Sequence, residues 1–160
     1  MIRYVSVIGP GDGATQRDCE DALTVGRLLA EHGVAVITGG LGGVMAAASE
    51  GASQASGLSV GILPGHDRSD GNQHQTIALP TGLGEMRNGL VVRCADALIV
   101  IGGSWGTLNE LALAQRTGTP VVSLRGWVVS DDGGSVISIE SVDSAEAAVA
   151  RVLTITADLD

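Results

Sequence analysis

The feature that most constrains this chain is a rhythm. Short apolar runs of strand length, RYVSVI (3–8), VAVIT (34–38), LSVGIL (58–63), ALIVI (97–101) and PVVSL (120–124), are separated by stretches with helical spacing. In residues 16–32, Ala22, Leu23, Val25, Leu28 and Leu29 fall near one face, and Gly33 follows as a helix C-terminal cap would. VMAAASEGASQA (44–55), Glu85 to Cys94 and TLNELALAQRT (107–117, ending at Gly118) read as further helices, and TIAL (76–79) as a short strand. Alternation of this kind predicts a parallel sheet covered on both faces: an α/β, doubly wound single domain over residues 1–160. Past residue 126 the expectation is a hairpin, WVVS and SVISI around the turn DDGG (131–134), then a last helix that Ser144 caps, all within 126–155.

In such sheets ligands bind outside the carboxyl ends of the strands. Three glycine-rich loops fall there: GPGDG (9–13), GGLGG (39–43) and GGSWG (102–106), each leading into a helix. Backbone N–H groups at a helix start attract anions, and glycine lets a phosphate come close. Three converging loops make Gly9, Gly11, Gly39, Gly40, Gly42, Gly43, Gly102, Gly103, Ser104, Gly106 and Thr107 the candidate phosphate-binding residues. None of the loops is G-x-G-x-x-G, and no GxxxxGK[ST] exists, which disfavours nicotinamide-dependent hydride transfer and P-loop hydrolysis.

Composition removes other classes. The net charge is -9, which repels phosphate backbones, so no nucleic-acid partner is expected. All nine basic residues are Arg, so no side-chain amine can form an internal aldimine with pyridoxal phosphate. Cys19 and Cys94 are too few for a disulfide scaffold and suit a reducing cytoplasm, each expected as a small buried hydrophobe. MIRYVSVIG enters a strand without a signal peptide's apolar core, and no apolar run reaches the ~18 residues of a membrane span. The loop HDRSDGNQHQ (66–75) reads as exposed, and its two histidines do not define a metal site; none is expected.

Few residues could do chemistry. Thr107-Leu108-Asn109-Glu110 matches a capping box, so Glu110 is either a helix cap, a group facing the ligand, or both. Arg87 and Asn88, in GLGEMRN, lie near a helix start; Arg87 suits bidentate contact to phosphate or a surface pairing with Glu85 or Asp67. Trp105 suits stacking on a base or packing against a neighbouring helix or subunit.

These stretches, TGGLGGVMAAASEGA, GEMRN and ADALIVIGGSWGTLNELALA, resemble the Rossmann-like nucleotide-binding proteins that include LOG-type phosphoribohydrolases and molybdenum-cofactor carrier proteins. The resemblance runs from about Tyr4 to Leu124 and is stronger to the carrier branch. GGSWGTLNE stands where the hydrolases have PGGxGTxxE, with Gly102 for the proline and Ser104 for a glycine; GEMRN replaces M-H-x-R-K. By resemblance, Arg87 and Glu110 occupy the positions that carry catalysis in the hydrolases. The resemblance implies binding of a phosphorylated small ligand, a nucleotide or pterin-type molybdenum cofactor, with no required resident cofactor. The alternative is hydrolysis of a nucleoside 5′-monophosphate at its N-glycosidic bond. It also implies a homodimer or homotetramer, with Leu90–Cys94 and Leu111–Ala114 as apolar faces seeking a partner surface or sheet.

Overall fold

The computed structural model describes residues 2–134 and 139–157. Its seven strands form one parallel sheet in the order β4-β3-β2-β1-β5-β6-β7. They are β1 (Tyr4–Ile8), β2 (Ala35–Thr38), β3 (Ser59–Leu63), β4 (Ile77–Pro80), β5 (Ala97–Ile101), β6 (Val121–Leu124) and β7 (Glu140–Ser141). Five helices cover the sheet: α1 (Gln16–Glu31), α2 (Val44–Gln54), α3 (Asn88–Arg93), α4 (Trp105–Thr117) and α5 (Ala145–Ala157). The molecule is an α/β domain of the doubly wound, Rossmann-like kind that the alternation predicts.

Strand pleat decides which helix each residue meets. In β5, Ala97, Ile99 and Ile101 enter one buried cluster with Val25, Leu29, Ala48, Ala148 and Val152 of α1, α2 and α5. Leu98 and Val100 enter the other, with Val91 and Val92 of α3 and Leu111 and Ala114 of α4. Both faces of β5 are therefore dry, which is why its sequence is an unbroken apolar run. Ser6 of β1 is fully buried, and its hydroxyl is satisfied by donating to the Val91 carbonyl at 2.6 Å.

Small residues set the layer spacing. A Cβ on Gly26 of α1 would lie 2.0 Å from the Ala48 carbonyl oxygen, and one on Gly51 of α2 would lie 2.0 Å from that of Leu23. The two helices touch through bare backbone. Helix ends follow the expected chemistry. Thr15 and Asp18 form a capping box on α1, Gly118 ends α4 with φ 73°, and the Ser144 hydroxyl accepts from the Ala147 N–H on α5.

Some expectations change. The segment expected to be helical from Glu85 to Cys94 is a 3₁₀ turn over Gly84–Arg87 followed by the short α3. Cys94 is exposed, whereas Cys19 is half-buried and packs against the core. Of the two outcomes expected for the apolar helix faces, a partner surface or the sheet, Leu111 and Ala114 take the sheet, whereas Leu90 is 39% exposed. Most of the second arm of the expected hairpin, SVISI, falls on residues 135–138, which lie outside the described residues; its first arm, WVVS (127–130), forms no extended strand, and β7 pairs parallel to β6. Among the described residues, no helix is long and apolar enough to cross a membrane.

Candidate functional site

Strand order reverses at β1. The chain winds outward through β2, β3 and β4, then returns to place β5 on the other side of β1. The loops after β1 and β5 must therefore diverge, and a crevice opens between them at the carboxyl edge. The loop after β2 closes its flank. A cavity of about 180 Å³ lies there. Its walls are Ile8 at the end of β1 with Gly9 and Gly11 from the first loop, Gly39 and Leu41 from the second with Met45 in the first turn of α2, and Ser104, Gly106 and Thr107 at the start of α4. Glu85, Arg87, Asn88 and Glu110 supply the polar side chains.

The other candidate glycines do not line this cavity. Gly40, with φ 76°, turns the second loop back against Leu63 and Gln75. Gly42 has open space around it. Gly43, with φ 59°, packs on the carbonyl oxygens of Pro10 and Gly11 and so holds the first and second loops together. The Val44 N–H adds a bond to the Pro10 carbonyl at 3.0 Å. Gly102 faces the Asp18 carboxylate and Gly103 faces the Trp127 indole. These glycines shape the loops.

Helix α4 starts earlier than the capping-box reading predicts. Ser104 is its cap: the Ser104 hydroxyl accepts from the Thr107 N–H at 3.2 Å, and the two hydroxyls share a bond of 2.9 Å. A serine at the cap satisfies the third helical N–H, leaving nothing for Thr107 to cap. Glu110 is thereby moved into the second turn, too far along the helix to reach its end. Its carboxylate points into the cavity wall, 7% exposed. The helix's leading N–H groups, at Trp105 and Gly106, have no helical acceptor and face this edge of the sheet.

Arg87 is likewise not a surface residue. It is 7% exposed, its Nη1 lies 3.6 Å from Glu110 Oε1, and its Nε has no hydrogen-bond partner. A Cβ on Gly39 would lie 2.5 Å from both Arg87 terminal nitrogens and 2.7 Å from the Met45 sulfur. Only glycine leaves room for the guanidinium against that loop. Burial lowers the Arg87 pKa, a change that Glu110 and Glu85 oppose; a guanidinium stays charged regardless. Burial raises the Glu110 carboxyl to about 7, with Arg87 pulling it down and Glu85 pushing it up. The site thus holds a fixed cation, a carboxyl poised near neutrality, and glycine-walled space.

Two neighbours had little signal in the sequence. The loop 66–75 is docked on the second glycine loop, because Asn72 Nδ2 donates to the Gly40 and Leu41 carbonyls at 3.2 and 3.1 Å. Behind Gly102, Arg125 donates to Asp18 at 3.2 Å, joining the end of β6 to the start of α1. Burial raises the Asp18 pKa, but bonds from the Thr15 hydroxyl and N–H and from Arg125 outweigh it and leave it lowered. Glu85, Asn88 and Gly106 also line a second, wider groove of about 550 Å³ along α3 and α4.

Known proteins share this architecture. A protein of Archaeoglobus fulgidus is 42% identical over 128 residues, covering 80% of this chain and 83% of its own length; it carries no described function. The structure of the molybdenum cofactor binding protein from the phototrophic bacterium Rippkaea orientalis superposes with a TM-score of 0.87 and 33% identity, over 97% of this chain and 98% of that one. The molybdenum cofactor carrier protein of Chlamydomonas reinhardtii gives a TM-score of 0.87 at 30% identity, over 99% of both chains. The model of the SLOG cluster4 family matches residues 2–156, and the chain belongs to that family.

Proposed function

We propose that this protein binds a phosphorylated small molecule, a pterin-type molybdenum cofactor or a nucleotide, and holds it without turnover. The observation that carries this reading is the buried Arg87 guanidinium that lines a glycine-walled cavity at the switch point of the sheet. The Arg87–Glu110 contact, at 3.6 Å, is longer than a hydrogen bond and leaves guanidinium donors for an anion in the cavity. A phosphate oxygen is a suitable partner, and the leading N–H groups of α4 supply further donors. The cavity, about 180 Å³, has room for a phosphate. The names of the similar cofactor-binding and carrier proteins support the pterin cofactor as cargo.

The test is to mix purified protein anaerobically with molybdenum cofactor freshly released from a molybdoenzyme and measure molybdenum after gel filtration. Co-elution of metal with protein, lost in Arg87→Gln, supports the reading. Molybdenum that elutes only in the small-molecule fraction counts against the cofactor as cargo.

A second reading rests on Glu110. A carboxyl poised near 7 beside a buried cation suits general acid–base work at an N-glycosidic bond. Ionised Glu110 would take a proton from water as its oxygen bonds to the sugar C1′. The C1′–N bond would break, and the base would leave with the electron pair and pick up a proton. Chromatography of nucleoside 5′-monophosphates incubated with protein distinguishes the two. Released base that disappears in Glu110→Ala means hydrolysis, and intact nucleotide means a carrier.

A further inference from the structure

At about 180 Å³ the cavity is smaller than the ~300–1,000 Å³ of ordinary ligand sites, and the wider groove that shares Glu85, Asn88 and Gly106 with it offers space for the rest of a ligand. That groove is built for something flat. One wall is Trp105, 79% exposed at the first position of α4; Met86, Gly89 and Leu113 make apolar surface beside it. An exposed indole is normally mobile, but this one is buttressed. Its ring centre lies 5.7 Å from that of Trp127, tilted by 35°. Trp127 is pinned in turn: its Nε1–H donates to the Ser104 carbonyl at 3.0 Å, and it sits where a Cβ on Gly103 would be only 2.8 Å from Nε1. Gly103 therefore makes room for Trp127, and Trp127 steadies Trp105. Two amides line the same groove: Asn109, one turn after Trp105 on the same side of α4, and Asn88 of α3. Asn88 Nδ2 donates to Asn109 Oδ1 at 3.2 Å, which leaves the Asn88 carbonyl oxygen and the Asn109 amino group to face a ligand.

We propose that this groove takes the bicyclic heterocycle of a phosphorylated ligand, stacked on Trp105 and read at its edge by Asn88 and Asn109. The inference rests on the phosphate reading of the neighbouring cavity and adds the chemical class of the remaining part. Guanine and pterin share a 2-amino-4-oxopyrimidine edge, which offers both a donor and an acceptor to the amide pair. Every such ring has a face for the indole.

The test uses two probes, guanosine 5′-monophosphate and ribose 5-phosphate, titrated calorimetrically into the wild type, Trp105→Ala and Trp105→Phe. Stacking on an aromatic side chain is worth a loss of about tenfold when removed. The Ala variant should bind the nucleotide about tenfold more weakly and ribose 5-phosphate as the wild type does; the Phe variant should recover most of the loss. Unchanged nucleotide affinity in the Ala variant overturns the proposal. So does an equal loss for both probes accompanied by altered sedimentation, which makes Trp105 an interface between copies. Failure of the wild type to bind either probe removes the phosphate reading itself, and this inference with it. Trp105 is so exposed that its replacement should leave the fold intact, which circular dichroism checks.

Discussion

Glu110→Gln should flatten the dependence of stability on pH. The Glu110 carboxyl ordinarily titrates at 4.5 and in the folded protein at about 7, because burial outweighs the attraction of Arg87. Between those two values the unfolded chain gives up the proton while the folded protein keeps it. Stability therefore falls as pH rises through this window, by about 1.4 kcal/mol per pH unit and about 3 kcal/mol in all. Above the window both states are ionised and the loss is complete; below it both are protonated and the contribution is nil. Gln cannot titrate. Below about 7 the folded protein's Glu110 is neutral, as Gln is, so lost contacts of the variant add an offset that does not vary with pH, and the slope is the readout. Urea unfolding from pH 4.5 to 8.5, on both proteins in the same buffers, gives that difference, and the other titrating groups cancel. Parallel curves would refute the placement of Glu110 as a buried carboxyl with a raised pKa.

Three further outcomes are expected, two from the packing and one from the resemblance. Gly26→Ala should lose about 1–3 kcal/mol or more in urea unfolding, since the new methyl meets the Ala48 carbonyl and the α1–α2 pair must separate; wild-type stability would contradict the close approach. Ser104→Ala should lose about 1 kcal/mol, while Thr107→Ala should not act as loss of a cap, reversing the order expected from the T-x-x-E pattern. Sedimentation velocity at micromolar concentration should show a dimer or tetramer; a single monomeric species would remove the self-association that the resemblance implies.

The fold was legible because it is written twice, in the unbroken apolar runs of strands buried on both faces and in the glycines that end them. ALIVI could only be a central parallel strand, and Gly118 only a left-handed helix end. The site was legible in part. Gly9, Gly11, Gly39, Ser104, Gly106, Thr107, Arg87, Asn88 and Glu110 do come together around one cavity. Glycine alone, however, does not say which side of a loop faces the ligand. Gly40, Gly43, Gly102 and Gly103 serve contacts behind the loops, and only distances reveal that. The start of α4 was misread because Ser104 and Thr107 are both good caps, and a local pattern does not rank them. Met45, Leu41 and Ile8 carry no functional signature; they line the cavity because β1 and β2 end there. Nothing local in the sequence indicated that Arg87 was buried. That follows from the 3₁₀ turn, which aims it at a glycine with no side chain in the way.

The most direct test of the account is the difference in affinity between a phosphorylated ligand and its dephosphorylated form. Calorimetric titration of guanosine 5′-monophosphate and guanosine into the wild type, Arg87→Gln and Gly39→Ala measures it. Gly39→Ala leaves the charge in place but displaces the guanidinium, whose terminal nitrogens would lie 2.5 Å from the new methyl. The account predicts that the monophosphate binds the wild type at least about tenfold more tightly than the nucleoside, the minimum expected of one charge-assisted contact of about 1.5 kcal/mol. It predicts that both variants erase that advantage. Equal binding of nucleotide and nucleoside by the wild type, or an advantage that survives in both variants, would contradict it.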